Sequence, residues 1–162
     1  MKNLNEYVIE RLKINKDISP IKYKYHPKDF DELRSLVKQL LDERGPDADL
    51  NDIDTSKINS FYDKNKFIGL FENLDPHNIK IDKWKVGHII SMRYMFTRCQ
   101  NFNCDLSNWK VENVSTMEEM FRGCKKFTGE GLENWKPIKC KSMDDMFDDC
   151  TSLKNKPSWY EK

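Results

Sequence analysis

The sequence predicts an α/β repeat solenoid: a short stack of about four 25-residue units, each a strand plus a helical turn, behind an N-terminal strand-helix cap. Three observations predict it. The segment Met92-Arg93-Tyr94-Met95-Phe96 returns as Met117-Glu118-Glu119-Met120-Phe121 and as Met143-Asp144-Asp145-Met146-Phe147. Trp84, Trp109 and Trp135 keep the same interval, with Trp159 following. The apolar content is thin, at 38% hydrophobic against 34% charged residues, so a core needs large residues at fixed places. A unit this small cannot bury a face alone, and stacking merges the faces into one core.

Each element has its own signal. Ile21 to Tyr25 alternates apolar and charged residues, which predicts a half-buried strand. Phe30 to Arg44 carries Phe30, Leu33, Leu36, Val37, Leu40 and Leu41 on one helical face. Asp29 is its expected N-cap, and Gly45-Pro46 its stop. Leu50, Ile53, Ile58 and Phe61 form a degenerate first repeat, followed by an insertion of about six residues before Phe71. In the later units the Met-Phe segments read as helical turns, capped by Ser91, Thr116 and Ser142. Phe102 to Val111 reads as a strand. The expected repeat core is Phe71, Trp84, Met92, Phe96, Trp109, Met117, Phe121, Trp135, Met143 and Phe147. The organisation is a polar leader over residues 1–18, a strand-helix cap over 19–47, and the repeats with a C-terminal cover over 48–162.

Phe102-Asn103-Cys104-Asp105-Leu106-Ser107-Asn108-Trp109-Lys110-Val111-Glu112-Asn113-Val114-Ser115-Thr116-Met117-Glu118-Glu119-Met120-Phe121 resembles the bacterial surface antigen (BspA-like) type of leucine-rich repeat. The resemblance runs over residues 48–160. Pro137-Ile138-Lys139-Cys140 departs from the family pattern in the third repeat, as do His88 and Ile89 in the first. It implies a leucine-rich-repeat-like fold and a protein that binds other proteins, often at a cell surface.

Composition narrows the function. Lys+Arg 28 against Asp+Glu 27 leaves a net charge of +1, without the cationic excess of a nucleic-acid binder. No apolar run is long enough to span a membrane. The first residues lack a signal-peptide core, which favours a cytoplasmic or virion-associated place over secretion. No H-E-x-x-H, P-loop or G-x-S-x-G is present, so no catalytic, cofactor-binding or metal-binding residue is expected. Cys99, Cys124 and Cys150 share one repeat position with Leu74, which points to small core residues; Cys104 and Cys140 fall elsewhere. His26, His77 and His88 do not share a repeat position. Asp47, Asp49 and Asn51 start like a calcium loop but meet Asp52 and Ile58 where Gly and Glu are needed.

The candidate binding residues are charged. Lys85, Lys110 and Lys136 each follow a repeat Trp. Glu118, Glu119, Asp144 and Asp145 lie between the paired methionines, where the preceding unit has Arg93 and Tyr94. A sign change of this kind suits a specific protein contact. The expected function is a non-catalytic protein–protein interaction or adhesion module. The alternative is a structural or packaged protein of a phage of gut bacteria, incorporated through the leader, which resembles the starts of such proteins.

Overall fold

The computed structural model describes residues 22–160. The leader, and the phage-packaging role attached to it, lie outside the described residues.

Helix α1 spans Phe30–Arg44. Asp29 accepts the Glu32 amide at 2.9 Å, and Glu32 reaches back to the Lys28 amide at 2.9 Å. The first contact satisfies an amide that the first turn leaves without an intrahelical partner, and the second ties down the residue before the cap. Leu33, Val37 and Leu40 are buried, and Gly45 ends the helix at φ 84°. Of the strand expected at 21–25, residues 22–25 show one parallel bridge, Tyr25 to Ile53.

The insertion after Phe61 is a hairpin. β1 (Tyr62–Asp63) pairs antiparallel with β2 (Ile68–Gly69). Gly69 is required there, because a Cβ would sit 2.1 Å from the Tyr94 carbonyl oxygen. Two 3₁₀ turns follow, Leu132–Asn134 and Ser158–Tyr160.

The expected α/β solenoid of strand-plus-helical-turn units is overturned. Among the described residues there is one α-helix and one two-stranded antiparallel sheet, and no regular solenoid of such repeats. The Met-Phe segments are not helical. Tyr94, Glu119 and Asp145 lie between the paired methionines at φ 57°, 51° and 55°. A right-handed helix cannot pass through a left-handed residue. Instead the chain makes overlapping turns, with Met95 N–H to Met92, Thr97 to Tyr94 and Cys99 to Phe96. A left-handed third residue is the mark of a type II turn. Ser91, Thr116 and Ser142 are not helix caps; they form isolated parallel bridges with one another. Phe102 to Val111 has no strand ladder: Phe102, Cys104 and Leu106 are buried in alternation, but the backbone pairs with no neighbour as a strand.

The interval of 25 works through backbone amides that point out of these turns. Met92, Tyr94, Phe96 and Arg98 donate to the carbonyls of Thr116, Glu118, Met120 and Arg122. Met117, Glu119, Phe121 and Gly123 donate in the same way to Ser142, Asp144, Met146 and Asp148. Alternate amides therefore close a local turn or bond to the next segment, which leaves few orphaned donors.

Large side chains fill the space behind this backbone. Phe71, Phe96, Phe121 and Phe147 lie face to face, 5.1, 5.7 and 5.8 Å apart between ring centres. Trp109 and Trp135 are parallel within 4°. Each repeat Trp gives its indole N–H to a carbonyl one segment earlier: Trp84 to Leu50, Trp109 to Ile81, Trp135 to Leu106 and Trp159 to Leu132. An indole can be buried only when its N–H finds such a partner. Met92, Met117 and the first three rings of the Phe row are fully buried, whereas Met143 is only partly covered.

Candidate protein-contact surface

The three lysines have different surroundings. Lys85 lies 3.6 Å from Asp54 and its ammonium stands 5.0 Å over the Tyr23 ring. Lys110 and Lys136 are exposed and make no ion pair among the described residues. The acids also divide. Glu118 binds Arg93 at 2.6 Å and Glu119 binds Arg122 at 2.9 Å, whereas Asp144 and Asp145 are exposed.

The most organised surface cluster surrounds Arg93. Its guanidinium lies 5.6 Å from the centre of the Tyr62 ring and 4.9 Å from that of Tyr94. The two rings meet edge to face at 5.6 Å. Burial raises the Tyr62 phenol above its ordinary range, against the opposing charge of Arg93. Arg93 Nε is buried and has no acceptor among the described residues. The hairpin brings Tyr62 to this place, and the interval of 25 brings Glu118. Sequence reasoning singled out Arg93 and Tyr94 as a change of charge but missed Tyr62, which lies in the irregular insertion.

The cysteines belong to the interior. Cys99, Cys124 and Cys150 donate their thiols to the carbonyls of Phe71, Phe96 and Phe121 at 3.1, 3.1 and 3.0 Å. Cys104 donates to Ile79 at 3.0 Å. Burial pushes the thiols of Cys99, Cys104 and Cys150 up to about 12, and raises Cys124 as well. A thiol so hard to ionise is a poor nucleophile and a poor metal ligand. No disulfide links the described cysteines.

The calcium-like stretch is turn chemistry. Asp49 accepts the Asn51 amide, Asp47 accepts the Asn78 amide, and the Asn51 side chain bonds Asp82 and the Lys83 amide. Among the described residues no group of three His, Cys, Asp or Glu could hold a metal ion. His26 lies 3.5 Å from Asp54. No helix of the described residues is long and apolar enough to cross a membrane.

A family described as "Mycoplasma protein of unknown function, DUF285" matches residues 33–160. The chain belongs to the DUF285 family. This finding overturns the resemblance to the bacterial surface antigen type of leucine-rich repeat, because the match that covers the repeats is to DUF285. The residues that carried the resemblance, Trp109 and Met117 to Phe121 among them, are repeat residues of a DUF285 chain. No curated protein and no solved structure matches it.

Proposed function

We propose that this DUF285 chain is a non-catalytic protein-binding module whose main contact is the Tyr62–Arg93–Tyr94 cluster. The observation that carries this reading is the fixed position of Arg93 between two half-buried tyrosine rings, held by Glu118. Tyr and Arg dominate the energetics of protein contacts. A side chain already held in place loses little entropy when a partner docks. The Lys110 and Lys136 side chains supply a second charged region that tunes the approach of a partner. Burial keeps the thiols of Cys99, Cys104 and Cys150 protonated, which supports a place for them in the core and not as nucleophiles.

The test is affinity capture with the intact chain, identification of the partner by mass spectrometry, and calorimetry with the purified partner. The paired substitution Tyr62→Ala and Tyr94→Ala is expected to weaken binding at least tenfold. Undiminished binding by a folded double variant overturns the site. Charge reversal by Lys110→Glu and Lys136→Glu is the parallel test, and unchanged binding removes the lysines from the contact.

A further inference from the structure

The row of backbone bonds ends differently at its two sides. At the N-terminal side the carbonyls of Leu70 and Glu72 correspond to those of Met95 and Thr97, which accept from Phe71 and Asn73. Arg34 of α1 supplies the missing donors, bonding the carbonyls of Gly69, Leu70 and Glu72 at 2.5, 2.6 and 3.1 Å. That side is closed.

Among the described residues, the C-terminal side is open along its backbone. By the interval of 25 to 26, Met143, Asp145, Phe147 and Asp149 correspond to Met117, Glu119, Phe121 and Gly123. The earlier four all donate to the next segment, whereas the later four amides have no acceptor among the described residues. The turn Ser158–Tyr160 covers the rings behind them. Trp159 stacks on Trp135 at 6.0 Å, and Tyr160 stands edge to face on Phe147 at 5.0 Å. It covers side chains and gives these amides no acceptor among the described residues.

Donors on alternate residues match the carbonyls of an extended peptide, the arrangement by which a strand adds to an open edge. Asp145, Asp148 and Asp149 are exposed along this row and make no ion pair among the described residues, unlike Glu118 and Glu119 one segment earlier. We infer that the amides of Met143, Asp145, Phe147 and Asp149 bind an extended basic segment of a partner protein as one further row. A second copy fits poorly. Its N-terminal carbonyls are occupied by Arg34, and its C-terminal side repeats the same donors and the same negative charge. The inference rests on the reading of the chain as a protein-binding module and adds a second contact, remote from Tyr62 in sequence.

The test uses the 162-residue chain and a labelled eight-residue peptide of alternating Lys and Val. Hydrogen exchange followed by NMR is expected to slow at least tenfold at those four amides on saturation with peptide, with Met117 and Phe121 unchanged. Asp145→Asn, Asp148→Asn and Asp149→Asn together are expected to weaken the peptide at least tenfold, since Asn keeps the left-handed backbone of Asp145 and Asp149 accessible. Tyr62→Ala with Tyr94→Ala is expected to leave peptide affinity unchanged, which separates this inference from the main contact. The inference is overturned if saturating peptide leaves the four amides unprotected, or if a Glu-Val peptide binds equally well. Amides already protected without peptide, or a dimer by light scattering, overturn it too.

Discussion

The guanidinium of Arg34 donates to the carbonyl of Leu70 at 2.6 Å, so a helix side chain closes the backbone of the repeat region. The same group also reaches Gly69 and Glu72. Burial pulls its pKa down and the nearby Glu72 holds it up. A charged hydrogen bond of this kind contributes about 1.5–3 kcal/mol, and its loss strands carbonyls that the helix keeps from water. Arg34→Leu is therefore expected to cost about 2–4 kcal/mol in urea unfolding. Arg34→Lys keeps the charge but not the fork, and is expected to recover only part of that loss.

The buried thiols give the protein a pH dependence on the alkaline side. An unfolded thiol ionises near its ordinary value of 9.0, whereas folded Cys99, Cys104 and Cys150 hold their protons to about 12. Between those values the native state binds more protons than the unfolded one, so stability falls as pH rises. Their contribution is complete below pH 9.0 and is lost progressively towards about 12. Urea midpoints measured from pH 7 to 10.5 are expected to decline above pH 9, and a Cys99→Ala, Cys150→Ala variant is expected to show a shallower decline. A thiol reagent at pH 8 is expected to modify partly exposed Cys140 first, and the four buried cysteines only on unfolding.

How much of this was legible in the sequence depends on where the signal lay. Helix α1 was legible to its ends, because Asp29, the apolar face and Gly45-Pro46 all act locally. The interval of 25 was legible in Trp and Phe, but its conformation was not. Met-x-x-Met has the spacing of a helix and also of successive turns, and Tyr94 and Glu119 are not residues that advertise a left-handed backbone. Phe102 to Leu106 alternates like a strand and is buried like one, yet a strand needs a bonded neighbour that composition cannot supply. Of the candidate site, the Arg93–Glu118 pair was readable from a separation equal to the repeat, whereas Tyr62 arrives through a hairpin outside that register.

Gly69 is the position where a single methyl group is expected to do most damage. Its missing Cβ would stand 2.1 Å from the Tyr94 oxygen and 2.3 Å from its carbonyl carbon. These are backbone atoms held by the next segment and cannot swing away. Overpacking of this sort costs about 1–3 kcal/mol when the neighbours can adjust, and here the strand β2 has to move instead. Gly69→Ala is expected to reach at least the upper part of that range. It is also expected to disturb the Tyr62–Tyr94 contact, visible as altered tyrosine fluorescence or NMR shifts. A neutral Gly69→Ala would mean that β2 does not lie under Tyr94.

Trp109 tests whether the aromatic rows hold the fold. Its ring lies parallel to Trp135 at 6.4 Å, approaches Phe96 at 6.5 Å, and its indole N–H binds the Ile81 carbonyl at 3.1 Å. Trp109→Ala removes the ring, leaves a cavity between segments and orphans the Ile81 carbonyl, so a loss of about 3–5 kcal/mol is expected. Trp109→Phe keeps most of the volume and loses the hydrogen bond, which separates the two contributions at about 1–3 kcal/mol for the second. Lys110→Ala, one residue on and exposed, is expected to stay within about 0.5 kcal/mol. Equilibrium urea unfolding of the three variants measures the order directly. A Trp109→Ala loss below about 1 kcal/mol would show that the stability resides in the backbone bonds between segments and not in the rings they enclose.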